Sequence, residues 1–393
     1  MKHIYLIGLK FIHKLLFILV YLRINNNNKK NSVEIVNILK YKKYIKKEEN
    51  SIIKDKSEIL RKKTFLKFKN QFSQHNIKIL IHIPNEFSMG GQSVFQNWSD
   101  GLTFQGVKTE YIPWNRPFNS IIDRFRPDVI ITSDHSLYLD QFDWDYIKSF
   151  RVKHKLLLIF TASHEKEGNS SNQLRLENAK LKNVDFFISF QNEDFIRNNY
   201  SEWKNYGYDI LSVPFSGNPL IYQYTEIENY YDFSFLGSSN PEKVFRYYKY
   251  FSKIFQKYNG IIFGPGWNLT NYKILDRKYH KYFYNMASIG LNLHIPSQIS
   301  NNSEINERTY SLACNGTFQI IDNPKALKYL FPEVDKVVTS DSPKEYIDKF
   351  EYYLNNPSEK TSYTLYALEQ IYNQNTIFHR MDKFVNYLLN YLK

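Results

Sequence analysis

The sequence has almost no cysteine: one thiol, Cys314, in 393 residues. A disulfide framework is excluded, and so is any zinc or iron–sulfur centre built on several thiolates. Glycine and proline are also scarce, at 14 and 13, which excludes collagen-like and low-complexity chains. No long uninterrupted apolar run is present. The most apolar segment, residues 4–22, carries Lys10, His13 and Lys14, and charges at mid-membrane are costly. No small-residue cleavage site follows it, only Arg23 and a run of Asn, so a cleaved signal peptide is not expected. Aromatics, by contrast, are abundant at 17%, within a hydrophobic fraction of 42%. That composition belongs to a folded chain, and the length points to two domains.

Net charge is +13, but it is not spread evenly. Residues 1–70 hold 18 basic and five acidic side chains, which leaves 34 of each sign in the remainder. The basicity belongs to an N-terminal extension, and the rest is electrostatically ordinary, so no nucleic-acid partner is expected. Residues 4–22 read as an interfacial helix, a signal anchor, or a helix packed on the protein body. The lysine-rich stretches KYKKYIKK (40–47) and RKKTFLKFK (61–69) suit an anionic membrane surface, and equally a solvated helical face. The expectation is a cytoplasmic protein held peripherally at an anionic membrane through residues 1–70.

From residue 77 the pattern changes. Apolar runs at 77–83, 107–112, 128–132, 155–160, 184–190 and 209–213 alternate with helical stretches. A second set follows at 231–237, 260–264, 289–294, 317–321 and 336–339. Alternation of near-continuous apolar strands with helices predicts parallel sheets covered on both faces. PFSGNP (214–219) separates the sets as a linker. The predicted fold is α/β: two tandem, doubly wound Rossmann-like domains facing a cleft, behind a helical extension. Predicted boundaries are 1–74 for the extension, 75–213 and 214–375 for the two domains, and 376–393 for a terminal helix.

Ligands of such sheets bind at the carboxyl ends of strands, so residues there are the candidates. Gly90 and Gly91 follow the first strand and open a helix, where backbone amides favour anions. They lack the full dinucleotide fingerprint, and a plain tight turn would look the same. Gly237 and Ser238 end a strand before a Pro-initiated helix carrying Lys243 and Arg246, a pattern that fits a phosphate-binding corner. The alternative is a helix cap with two solvated cations. Gly264-Pro265-Gly266 makes a sharp turn, and Trp267 beside it either stacks on a base or fills the core. The strand ending at His294 leads to a polar loop. A helix from Glu304 would place Glu304, Glu307, Arg308 and Ser311 on one face, with Gly316 as its stop. Such a stripe suits nucleotide and sugar hydroxyls; the alternative is an exposed charged face. Asp143-Trp144-Asp145 is a lone D-x-D, and no metal site is expected.

The segments YNMASIGLNLH…NERTYSLACNGTFQIID and FPEVDKVVTSDSPKEYIDKFEYYLNNPSEK resemble the carboxyl-terminal domain of GT-B glycosyltransferases, most nearly the spore-maturation-type, group 1 kind. The resemblance covers residues 232–360. In that group an Arg and a Glu precede a small-residue-Gly segment, and a strand then an Asp follow it. Arg308, Ala313, Gly316 and Asp322 match. The family's Glu, which holds the donor's ribose hydroxyls, falls at Ser311 here, and Glu307 one turn earlier would substitute.

The resemblance implies a glycosyltransferase with a nucleotide-sugar donor and no other cofactor. Lys243, Arg246, Arg308 and the Gly237–Ser238 amides would neutralise the leaving diphosphate. The acceptor would be a glycan, a lipid-linked sugar or a protein-borne sugar. If the reaction inverts, a base would come from the amino-terminal domain, among Asp134, His135, His164 and Glu165, with His164 preferred. Other readings are a non-catalytic scaffold of the same fold, suggested by Ser311, and a nucleic-acid-binding protein, suggested by the basic extension.

Overall fold

Strand formation follows the β-branched and aromatic runs, each four to six residues long except the three-residue β6 and β11. In chain order the strands are β1 (Lys78–His82), β2 (Lys108–Ile112), β3 (Val129–Ser133), β4 (Leu157–Thr161), β5 (Phe186–Ser189), β6 (Ile210–Ser212), β7 (Tyr231–Leu236), β8 (Gly260–Phe263), β9 (Ala287–Asn292), β10 (Gln319–Asp322) and β11 (Val338–Ser340). They lie in a computed structural model that describes residues 15, 19, 23–24, 27–28, 51–83, 89–113, 118–162, 171–227, 229–239, 241–267 and 275–392.

The strands form two all-parallel sheets, ordered β2-β1-β3-β4-β5-β6 and β11-β10-β9-β7-β8. Each sheet runs outward one strand from its first, then jumps back across it. The order therefore reverses between β1 and β3 in one sheet and between β7 and β9 in the other, as in flavodoxin-like doubly wound folds. These switch points are where loops from neighbouring strands diverge and leave a crevice at the carboxyl edge.

The chain forms two compact units that are not continuous in sequence. One comprises residues 1–62 and 216–376, the other 63–215 and 377–393. This differs from the predicted segments in two places. The helix Ser51–Phe68 is no separate extension: Ile53, Ser57, Thr64 and Phe68 are buried, and Lys54 and Lys56 pair with Glu226 and Glu369. The last helix, Ile377–Leu392, also belongs to the body. It presses on the helix Met89–Phe104 at Gly101, where a Cβ would stand 2.8 Å from Ile377 and 2.9 Å from Met381.

Each sheet has its own core. In the 63–215 unit, Leu80, Ile130, Leu158 and Phe160 from the strands meet Phe118 and Phe150 from the helices and Phe142 from the bend between two of them. In the 216–376 unit, Phe233, Phe235, Ile289, Leu291 and Ile320 meet Tyr247, Phe251, Phe255 and Phe350. Ile24 joins this second core, and Asn28, fully buried, bonds Phe255 O and Gly260 N. Fully burying a side chain of this size contributes about 1.5–3 kcal/mol. Among the described residues, no helix is long and apolar enough to cross a membrane.

Candidate functional site

Two turns shape the carboxyl edge beside the β7–β9 switch point. After β7 comes Gly237-Ser238-Ser239, and after β8 comes Gly264-Pro265-Gly266-Trp267. The two turns are tied backbone to backbone, with Gly237 N donating to Phe263 O at 2.9 Å and Ser239 N to Pro265 O at 2.9 Å. That approach requires glycine. Gly264 and Gly266 have φ of +136° and +88°, and a Cβ on either would overlap the Gly237 or Ser239 carbonyl. The Trp267 indole donates to Gly237 O at 2.7 Å and stacks on Tyr247. At 5% exposure Trp267 is a wall of the core that fixes the turn, not a platform for a base.

Arg308 fills the space between β7 and β9. The helix that carries it begins at Glu307, not at Glu304, because Asn306 caps it by accepting from Thr309 N at 3.0 Å. This sets Arg308 in the first turn, aimed at the ends of the two strands. Its Nε donates to Leu236 O at 2.8 Å, and one terminal nitrogen lies 3.4 Å from Asn292 Oδ1. Its guanidinium carbon lies 4.4 Å from the centre of the Phe235 ring. A Cβ on Gly237 would overlap the guanidinium, so residue 237 is bare where the cation lies. Burial pushes the Tyr247 phenol up to about 12, although Arg308 beside it favours the charged form. Lys243 adds a second cation, with Nζ 3.3 Å from Ser238 Oγ. The Gly237 and Ser239 amides are spent on Phe263 O and Pro265 O, so the expected pair of Gly237–Ser238 amide donors is not there. One fixed guanidinium and one ammonium beside the turn make it an anion site by charge.

Other candidates serve beneath this surface. Arg246 is ion-paired with Asp322 at 2.6 Å, and Asp322 also accepts from His294 N and Nδ1, the latter at 2.6 Å. These contacts, His294 first, hold the buried Asp322 carboxyl below the ordinary carboxylate range against the effect of burial. The His294 side chain is fully buried, and its Nε2 lies 3.5 Å from Thr309 Oγ1. The connectivity Asp–His–Thr has the form of a nucleophilic relay. Thr309 is nevertheless fully buried and already bonded to Asn292 and Asn306, so it is a core network. Glu304 precedes the helix and accepts from Gln298 Nε2 at 3.1 Å.

Ser311 is 2% exposed, with its hydroxyl on the Tyr222 phenol. Tyr222 in turn bonds His280 Nδ1 at 3.2 Å, and His280 Nε2 bonds Leu275 O at 3.1 Å. Glu307 stands one turn before Ser311, and its charge helps raise the Tyr222 and Tyr284 phenols. Gly316 lies apart from all of these. It precedes β10 and so sits at the amino edge of the sheet, opposite Gly237.

In the 63–215 unit, Gly90 and Gly91 fall in the first turn of the helix Met89–Phe104. Asp134 and His135 follow β3 at its carboxyl end. Asp134 is committed to a buried ion pair with Arg175 at 2.7 Å, and Arg175 lies over the Tyr200 and Trp203 rings. His135 Nδ1 accepts from Leu137 N at 3.2 Å as a helix cap. Neutral His135 is thereby held as the Nε2–H form, a donor rather than a base. His164 and Glu165 lie outside the described residues. Asp143 caps the helix Trp144–Lys153 and accepts from Asn119, so half of the D-x-D is spent on a helix start. Among the described residues, no group of three or more His, Cys, Asp or Glu is placed to hold a metal ion.

The sequence reading missed two residues. Asn292 bonds Asn306, Thr309, Gln319 and Arg308 from within a strand, and its signal was a polar residue inside an apolar run. His82, at the end of β1, bonds Thr132 at 2.9 Å between the Phe118, Phe142 and Tyr138 rings. Burial lowers its pKa to about 3.

Residues 248–386 match the sequence model of a family described as glycosyl transferase-like. Among solved structures, an α-glucosyltransferase in complex with UDP and a 13-mer DNA superposes with a TM-score of 0.57 at 10% identity, over 80% of this chain and 100% of its own. A sucrose-phosphate synthase from Thermosynechococcus elongatus gives 0.53 at 11% identity, over 80% and 100%. The Anabaena protein HepE, in complex with UDP and glucose, gives 0.50 at 9%, over 80% and 99%. No curated protein matches in sequence. The fold is that of the GT-B glycosyltransferases.

Proposed function

We propose that this chain is a glycosyltransferase of the spore-maturation-type group. It would move a hexosyl or related sugar from a nucleotide-sugar donor to a glycan, lipid-linked or protein-borne acceptor, without a metal, in polysaccharide biosynthesis. The observation that carries this reading is Arg308, fixed between the ends of β7 and β9 and aimed at the bare backbone of Gly237. A cation held there before the reaction stabilises the negative charge that grows on a departing diphosphate, with no reorganisation at that moment. Lys243, beside Ser238, shares that charge. UDP is the first nucleotide to test, because HepE and the α-glucosyltransferase were solved with it.

The proposed membrane contact draws on Lys62, Lys63, Lys67 and Lys69, which are exposed near the end of the helix Ser51–Phe68, together with Leu66. Full-length protein should sediment with anionic vesicles and be released by salt.

The deciding experiment is a calorimetric titration with UDP and UDP-sugars, paired with a transfer assay. Wild type should bind UDP, and Arg308→Ala should weaken binding at least ten-fold, about 1.4 kcal/mol. Nucleotide binding with no hydrolysis or transfer across donors would favour the non-catalytic reading. No nucleotide binding at all would remove both.

A further inference from the structure

The same sheet has a second opening at its other edge. A cavity of about 210 Å³ lies against the first residues of β9, Ala287 and Ser288, and against Gly316–Phe318, which leads into β10. In parallel sheets the expected ligand crevice is at the carboxyl ends, so this space is not part of the anion site at Gly237 and Arg308.

Its walls are of two kinds. Tyr224 and Phe318 are aromatic; Ser288 and Thr361 supply hydroxyls, while that of Thr364 donates to Lys360 O; Lys360 supplies a cation. Lys360 is only 9% exposed, and its Nζ donates to Ser288 Oγ, which holds the ammonium in place at the cavity wall. No Asp or Glu is among the described lining residues. An ammonium in such a wall is a point-charge binder of phosphate, and the surrounding hydroxyls match a ligand that carries hydroxyls of its own. An apolar cavity of about 150 Å³ holds benzene, so this one has room for roughly eight to ten non-hydrogen atoms.

We propose that this cavity binds a small phosphorylated polyol, with the phosphate on Lys360 and the carbon chain against Tyr224 and Phe318. The proposal is independent of the sugar-transfer reading, because it concerns the opposite edge of the sheet and is read by binding alone.

Glycerol 3-phosphate is the probe, titrated calorimetrically and by thermal unfolding into the full chain, with glycerol and inorganic phosphate as separate arms. Wild type should bind glycerol 3-phosphate at least ten-fold more tightly than either fragment, and its midpoint should rise with ligand. Lys360→Met should lower that affinity ten-fold or more. Thr361→Val, which preserves shape, should lower it several-fold and decides the matter if Lys360→Met does not fold. Arg308→Ala should leave it unchanged. The proposal is overturned if wild type does not bind the probe, if inorganic phosphate binds equally well, or if neither cavity variant weakens binding. Loss of binding in Arg308→Ala would place the ligand at the carboxyl edge and overturn it too.

Discussion

Gly237 matters for what it lacks. A methyl group there would overlap the Arg308 guanidinium, so Gly237→Ala removes no charge but displaces the one that counts. Its effect on UDP binding should approach that of Arg308→Ala, ten-fold or more by calorimetry. Arg308→Lys should not restore binding, because an ammonium cannot bond Leu236 O, lie on Phe235 and face the turn together. Normal binding in Gly237→Ala would show that the cation need not sit where it does. Two buried histidines set an acid limit in the same residue-by-residue way. Burial lowers His280 to about 4 and His82 to about 3, while both return to about 6.5 on unfolding. Between those values the unfolded chain holds more protons, so stability is full above about pH 6.5 and falls as pH drops toward 4. The loss should be on the order of a few kcal/mol per histidine at the acid end. Urea midpoints measured from pH 7 to pH 4.5 should fall, and His280→Gln should flatten part of that slope.

The helix Glu307–Cys314 shows what a single element asks of its residues. Its first turn presents Glu307 and Arg308, while Thr309 through Cys314 are all buried. Ser311 lies in that buried part, against Tyr222. Ser311→Glu would therefore not rebuild a ribose-binding carboxylate. It would force a longer, charged side chain beside a buried phenol, and should lower stability by about 3 kcal/mol or more, measured by urea unfolding. Undiminished stability, with tighter UDP binding, would mean that residue 311 can turn toward the ligand.

This helix also shows where the sequence was legible. Each of the eleven strands among the described residues overlaps a run marked in the sequence, because buried parallel strands are near-continuous apolar runs; the edge strand β2, KTEYI, is the exception, buried only at Ile112. Gly237 was marked by a strand end and a glycine turn, and Arg308 by the polar stripe of a helix and by the family resemblance. The start at Glu307 was not legible, since Asn306 and Glu304 are both acceptable near a helix start and only the Asn306 bond to Thr309 N decides. Nor was the burial of Ser311, Trp267 and His294, because a polar or aromatic residue near a strand end looks the same whether it faces a ligand or a buried neighbour. Gly316 was misplaced for a simpler reason: a helix stop before a strand marks the wrong edge of a parallel sheet.

For the whole molecule, the last helix is the test of organisation. Ile377, Phe378, Met381, Phe384, Val385 and Leu388 are all buried to within 0% exposure, and Gln105 bonds Phe378 O. Ending the chain at Thr376 should therefore damage the 63–215 unit, while the 216–376 unit keeps its own core and its Arg308 site. Hydrogen exchange should show lost protection in β1 to β5 with UDP binding retained. Equal protection in both would mean that the helix is dispensable.

The same discontinuity has a consequence for synthesis. Residues 63–215 leave the ribosome well before residues 377–392, which cover Gly101 and the face around it. At 5–20 residues per second, the intervening stretch takes roughly ten to thirty seconds to make. Throughout that interval an unfinished apolar face stays open on a nascent chain. The neighbouring unit, complete at Thr376, can close first even though its sheet is translated second. A pause in translation after residue 376 would lengthen the exposure and favour aggregation, and an added peptide spanning residues 377–392 should relieve it.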